Sequence, residues 1–108
     1  MAVSADGEAV GSVSGGCVEG AVYALGEEVI ASGVPVLARY GVSDDDAFAV
    51  GLTCGGTLDV YVEPVDPARF PELDRLAASA LAGEPVAVAT VVRGPAGHSR
   101  VGRRLVVW

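Results

Sequence analysis

Two segments of the chain hold residue types whose spacing could do chemistry. The first is Gly11-Ser12-Val13-Ser14-Gly15-Gly16-Cys17-Val18-Glu19 and the second is Gly51-Leu52-Thr53-Cys54-Gly55-Gly56-Thr57-Leu58-Asp59. Each joins a Gly-Gly pair to a neighbouring cysteine and follows with an acid. Cys17 comes after its pair, whereas Cys54 comes before its own. Paired glycines let a backbone turn tightly and lie close to a ligand. Placed before a helix, such a turn leads into exposed N–H groups and the positive end of the helix dipole, which suit a phosphate or another anion. Cys17 is expected in the first helical turn, where a thiolate is favoured, and Ser12 and Ser14 would add hydroxyl donors. The competing reading is a tight strand-to-helix turn whose glycines only permit packing, with Cys17 a small buried hydrophobe. Glu19 reads first as a partner of the helix dipole.

The elements that position these residues follow from turn signals and apolar spacing. Met1–Ala5 and Glu8–Ser14 flank Asp6-Gly7, a two-residue hairpin signal. Val18, Val22, Leu25 and Val29 fall at helical spacing after Gly15-Gly16, and Gly33 with Pro35 ends that helix. Val34–Tyr40 reads as a strand, and Leu58, Val60 and Val62 alternate with Asp59, Tyr61 and Glu63 as a strand with one wet face. Asp66-Pro67 signals a helix start, with Phe70, Leu73, Leu76, Ala77, Ala80 and Leu81 as its buried stripe and Gly83 and Pro85 as its stop. Val86–Val92 is nearly all apolar and predicts a central strand covered on both faces. Arg93–Gly102 reads as a loop and Arg103–Trp108 as a last strand. The order is ββαββαββ, which predicts an α+β fold: one mixed sheet packed by two helices in a single small domain. No G-x-G-x-x-G follows a strand, so a dinucleotide-binding unit is not encoded.

Composition narrows the function classes. The chain has 108 residues, half of them hydrophobic, so disorder is excluded and one domain is expected. No apolar run approaches the roughly 20 residues of a membrane helix, and no basic stretch precedes an apolar one at the N-terminus, which predicts a cytoplasmic protein. Charge is lopsided: residues 1–68 hold 11 acids and only Arg39, while residues 69–108 hold 3 acids and 6 arginines. That balance argues against a general nucleic-acid role. The cluster Arg93, Arg100, Arg103 and Arg104 reads first as a solvated strand edge, with a local anionic site as the alternative. Two cysteines and one histidine do not make a standard structural zinc set. Asp44-Asp45-Asp46 lacks the spacing of a calcium loop, and His98 reads as an exposed loop residue.

The segments "GSVSGGCVEG" at 11–20 and "YGVSDDDAFAVGLTCGGTLDVYVEP" at 40–64 together resemble the XdhC/CoxI family, the xanthine dehydrogenase accessory factors. The resemblance runs from Met1 to the strand at Val86–Val92. It implies the family's N-terminal domain over residues 1–108, without the Rossmann-like domain into which family members usually continue. It also implies a maturation factor that binds molybdenum cofactor (molybdopterin) as cargo. In that role the protein assists sulfuration of the cofactor with a cysteine desulfurase and passes it to an apo molybdenum hydroxylase, such as xanthine dehydrogenase or carbon monoxide dehydrogenase. Carried onto this chain, the cofactor-binding positions are Ser14, Gly15, Gly16, Cys17, Glu19, Thr53, Cys54, Gly55 and Gly56, with Cys17 and Cys54 as candidate metal contacts. No catalytic residue is implied, and an accessory protein is favoured over an enzyme. Two other readings stay open. One is a thiol-based sulfur carrier or small oxidoreductase using Cys17 and Cys54, although no motif places a general base. The other is a docking module with a vestigial site, whose acidic face meets a basic patch on a partner. An open terminal strand would also permit homo-oligomers.

Overall fold

The computed structural model describes residues 1–41, 55–95 and 100–108. Among the described residues eight elements appear in chain order: β1 (Ala2–Val3), β2 (Ala9–Val10), α1 (Glu19–Ser32), β3 (Val36–Tyr40), β4 (Leu58–Val62), α2 (Leu73–Leu81), β5 (Ala87–Thr90) and β6 (Arg104–Val107). The α+β class and the order of elements agree with the sequence reading. The sheet arrangement differs from it. In place of one mixed sheet, consecutive strands among the described residues pair into three two-stranded antiparallel sheets, β1–β2, β3–β4 and β5–β6. The chain divides into two compact units, Met1–Pro64 and Val65–Trp108.

In the first unit, Asp6-Gly7 does turn a hairpin. Gly7 adopts φ 86, a left-handed conformation that glycine takes without a side-chain penalty. The turn is closed by Ser4 N donating to Glu8 O at 2.8 Å and Gly7 N to Ser4 O at 3.0 Å. The strands are only two residues each, shorter than Met1–Ala5 and Glu8–Ser14 suggest. Gly11, at φ 82, ends β2, and the residues beyond it are drawn into a loop instead.

Helix α1 follows, and its apolar stripe supplies the core. Val18, Val22 and Val29 are buried, Gly26 is buried beside them, and Leu25 is half-buried. The helix ends where Gly33 turns left-handed at φ 70 and donates its N–H to Val29 O at 2.8 Å. Pro35 then cannot continue it. α1 packs against β1 and β4. Two contacts one helical turn apart seat the hairpin on it. Tyr23 Oη donates to Gly7 O at 2.9 Å, and Gly26 lies so close to β1 that a Cβ there would stand 3.2 Å from Val3 Cγ2. β3 and β4 pair in the register Val36↔Val62 to Tyr40↔Leu58. Arg39 and Asp59 stand directly opposite, joined by Arg39 Nε to Asp59 Oδ1 at 2.7 Å and Arg39 Nη2 to Asp59 Oδ2 at 3.1 Å. Asp59 is thus exposed, as the alternation predicts, whereas Tyr61 and Glu63, read onto the same wet face, are half-buried.

The second unit departs further from expectation. α2 begins at Leu73, not at Asp66-Pro67. Asp66 does act as a cap, since Asp66 Oδ1 accepts from Arg69 N at 2.8 Å and Asp66 O from Phe70 N at 2.9 Å. That turn cannot propagate, because Pro71 has no N–H and disfavours a helical Phe70. The predicted buried stripe is correspondingly reduced. Phe70 is buried and Leu76 half-buried, but Leu73, Ala77 and Ala80 are exposed and Leu81 is 90% exposed. Gly83, at φ 72, closes the helix as read, with Glu84 N donating to Ser79 O at 2.9 Å. β5 is not a covered central strand. Among the described residues its neighbour is β6 alone, in the register Ala87↔Val107 to Thr90↔Arg104, and Val88 is exposed. An apolar run sets strand propensity, but burial of both faces also needs flanking strands and covering layers. Arg104 stacks over the Phe70 ring at 3.8 Å and Arg75 over the Trp108 ring at 3.6 Å, so these two arginines cover aromatic faces within the unit.

Candidate functional site

The segment between β2 and α1 is built around one carboxylate. Glu19 Oε1 accepts from Ser12 Oγ at 2.8 Å, Val13 N at 3.0 Å and Ser14 N at 2.8 Å. Its Oε2 accepts from Ser14 Oγ at 2.8 Å and Gly16 N at 2.8 Å. Three amides and two hydroxyls therefore converge on a single side chain. Two more bonds complete the loop: Gly15 N donates to Ser12 Oγ at 3.0 Å, and Val18 N donates to Ser14 Oγ at 2.9 Å. Ser14 Oγ thus donates to Glu19 and accepts from Val18, linking the loop to the start of the helix.

The local sequence explains the shape. The loop closes on Glu19 only if the chain reverses between Ser14 and Cys17. Gly15 at φ 71 and Gly16 at φ 118 make that reversal, in conformations that a side chain would strain. A Cβ at either glycine would meet nothing within 4 Å, so the requirement there is conformational and the space beside the pair is open. The five bonds favour the ionised carboxylate and hold the Glu19 carboxyl far below its ordinary value of 4.5, with the Ser14 amide the largest cause and the Ser12 hydroxyl next. Glu19 is thus held as a carboxylate at neutral pH.

This arrangement revises the expected site. The hydroxyls of Ser12 and Ser14, expected as donors to an external anion, are engaged by the chain's own carboxylate, as are the amides of Ser14 and Gly16, and the Gly15 amide is taken by Ser12 Oγ. Cys17 does not lie in the first helical turn. α1 starts at Glu19 with Val18 as its N-cap, and the first helical bond runs from Val22 N to Val18 O at 2.9 Å, so Cys17 sits just outside the helix. The capture of Val18 N by Ser14 Oγ and the left-handed glycines delay the helix by this much. Cys17 is half-buried and in no disulfide. Glu19 is far more than a dipole partner, a role that sequence reading missed. The available signal was an acid at the helix start with serines five and seven residues before it, able to reach back to upstream N–H groups as in a capping box.

Of the second motif, Gly55 is exposed at φ 73 and Gly56 is half-buried, ahead of β4. Thr53 and Cys54 lie outside the described residues, as do Asp44-Asp45-Asp46 and His98. Seven hydrogen bonds of the first motif run among residues 12–19. Among the described residues no three His, Cys, Asp or Glu side chains assemble as a metal-ligand set. No helix among them is long and apolar enough to cross a membrane.

The Glu19-centred loop, the hairpin before it and the helix after it coincide with the stretch that known proteins share. Residues 1–41 match the XdhC and CoxI family. The match begins with the β1–β2 hairpin and closes just after β3. It contains Ser14, Gly15, Gly16, Cys17 and Glu19, and it bears out the resemblance over this N-terminal stretch. The XdhC and CoxI match suggests an accessory role in molybdenum hydroxylase maturation. No curated protein matches the chain.

Proposed function

We propose that this protein is a maturation factor that binds molybdenum cofactor as cargo and assists its sulfuration and insertion into an apo molybdenum hydroxylase. It would work in the cytoplasm with a cysteine desulfurase as the sulfur source. The observation that carries this reading is the family match over residues 1–41, which places the Glu19-centred loop and Cys17 inside the shared stretch. No residue is assigned a catalytic role.

The loop favours one end of the cargo over the other. Molybdenum cofactor has a phosphate-bearing end and a soft dithiolene–metal end. A phosphate at this loop would need amides that Glu19 already holds, and would stand beside a permanent negative charge. A thiol makes no such demand, and sulfur suits a soft metal centre or a relayed sulfur atom. Cys17, which directly follows the Gly15-Gly16 pair, is therefore assigned to the metal–sulfur end. Cys54, Thr53, Gly55 and Gly56 belong to the same proposal as further contacts.

Reconstitution tests the reading. Apo molybdenum hydroxylase is incubated anaerobically with cofactor, cysteine and a cysteine desulfurase, with or without stoichiometric amounts of this protein. The proposal expects more active hydroxylase in its presence and a loss of that gain with Cys17→Ser. Equal yields with and without the protein would overturn it.

A further inference from the structure

We draw no further inference here: the strongest candidate, the exposed apolar face that Ala87, Ala89, Leu105 and Val107 form on the β5–β6 ribbon, carries nothing because nothing in the structure shows what covers it.

Discussion

Replacing Gly26 by alanine sets two opposed effects against each other. Gly26 lies inside α1, where alanine is the better helix former by about 1 kcal/mol. On that ground alone, Gly26→Ala would stabilise the protein. The new methyl, however, would stand 3.2 Å from Val3 Cγ2 and 3.3 Å from Val3 Cβ. The first contact could be relieved by turning the Val3 side chain. The second could not, because Cβ is fixed to the backbone of β1, so the hairpin itself must shift. Overpacking of this kind costs about 1–3 kcal/mol. Taking the middle of that range, the net effect is a loss of about 1 kcal/mol, or about 4–8 °C in Tm for a domain of this size. Urea unfolding followed by far-UV circular dichroism measures it, with an unchanged m-value confirming that native stability is what moved. Val3→Ala removes the closer contact, so the Gly26→Ala penalty should shrink by at least about 0.5 kcal/mol in that background. A Gly26→Ala protein that is more stable than wild type, with no coupling to Val3, would refute the close seating of the hairpin on α1.

Other outcomes follow from the same structure. The depressed Glu19 carboxyl contributes stability that is present above its unfolded value of 4.5 and is lost as pH falls below it towards the folded value. Glu19→Gln turns a donor towards an N–H or hydroxyl that now donates, so the variant should be less stable at neutral pH and lose less on acidification; identical pH profiles would show that the five bonds do not form. In the core, Val29→Ala should cost about 2 kcal/mol, because the side chain is 2% exposed and its two lost methyl groups leave a cavity. Leu81→Ala should lie within about 0.5 kcal/mol of wild type, because Leu81 is 90% exposed. Chemical denaturation of both variants checks the contrast, and a Leu81→Ala loss as large as that of Val29→Ala would contradict it.

The parts of the fold legible in the sequence are those fixed by local chemistry. Asp6-Gly7 announced its hairpin, Gly33 its helix end, and the 3.6-residue spacing of Val18, Val22 and Val29 its buried face. The β4 alternation placed Asp59 towards water, although Tyr61 and Glu63 on the same expected face are half-buried and the pairing with Arg39 came only with the register. What was not legible depends on competition or on distant partners. Pro71 overrules the helix start at Asp66-Pro67, and that conflict becomes visible only when both prolines are weighed together. The apolar run at Val86–Val92 marks a strand but does not specify what lies against it. In the segment before α1, residue types drew attention to the glycines, serines and acid that form the loop. They did not reveal that Glu19 fills the cradle that Gly16 and Ser14 create, because a carboxylate in the chain competes for the same amides as an external anion.

The most direct test of cargo binding is an anaerobic titration of the 108-residue protein with molybdenum cofactor, read by absorbance and by molybdenum analysis after gel filtration. Wild type, Cys17→Ser and Glu19→Ala are compared. Wild type is expected to bind saturably one-to-one, Cys17→Ser more weakly, and Glu19→Ala no more tightly than wild type. Tighter binding by Glu19→Ala, with Cys17→Ser unchanged, would place the phosphate rather than the metal at this loop. An absence of binding by folded wild-type protein would contradict the claim that this chain carries the cofactor.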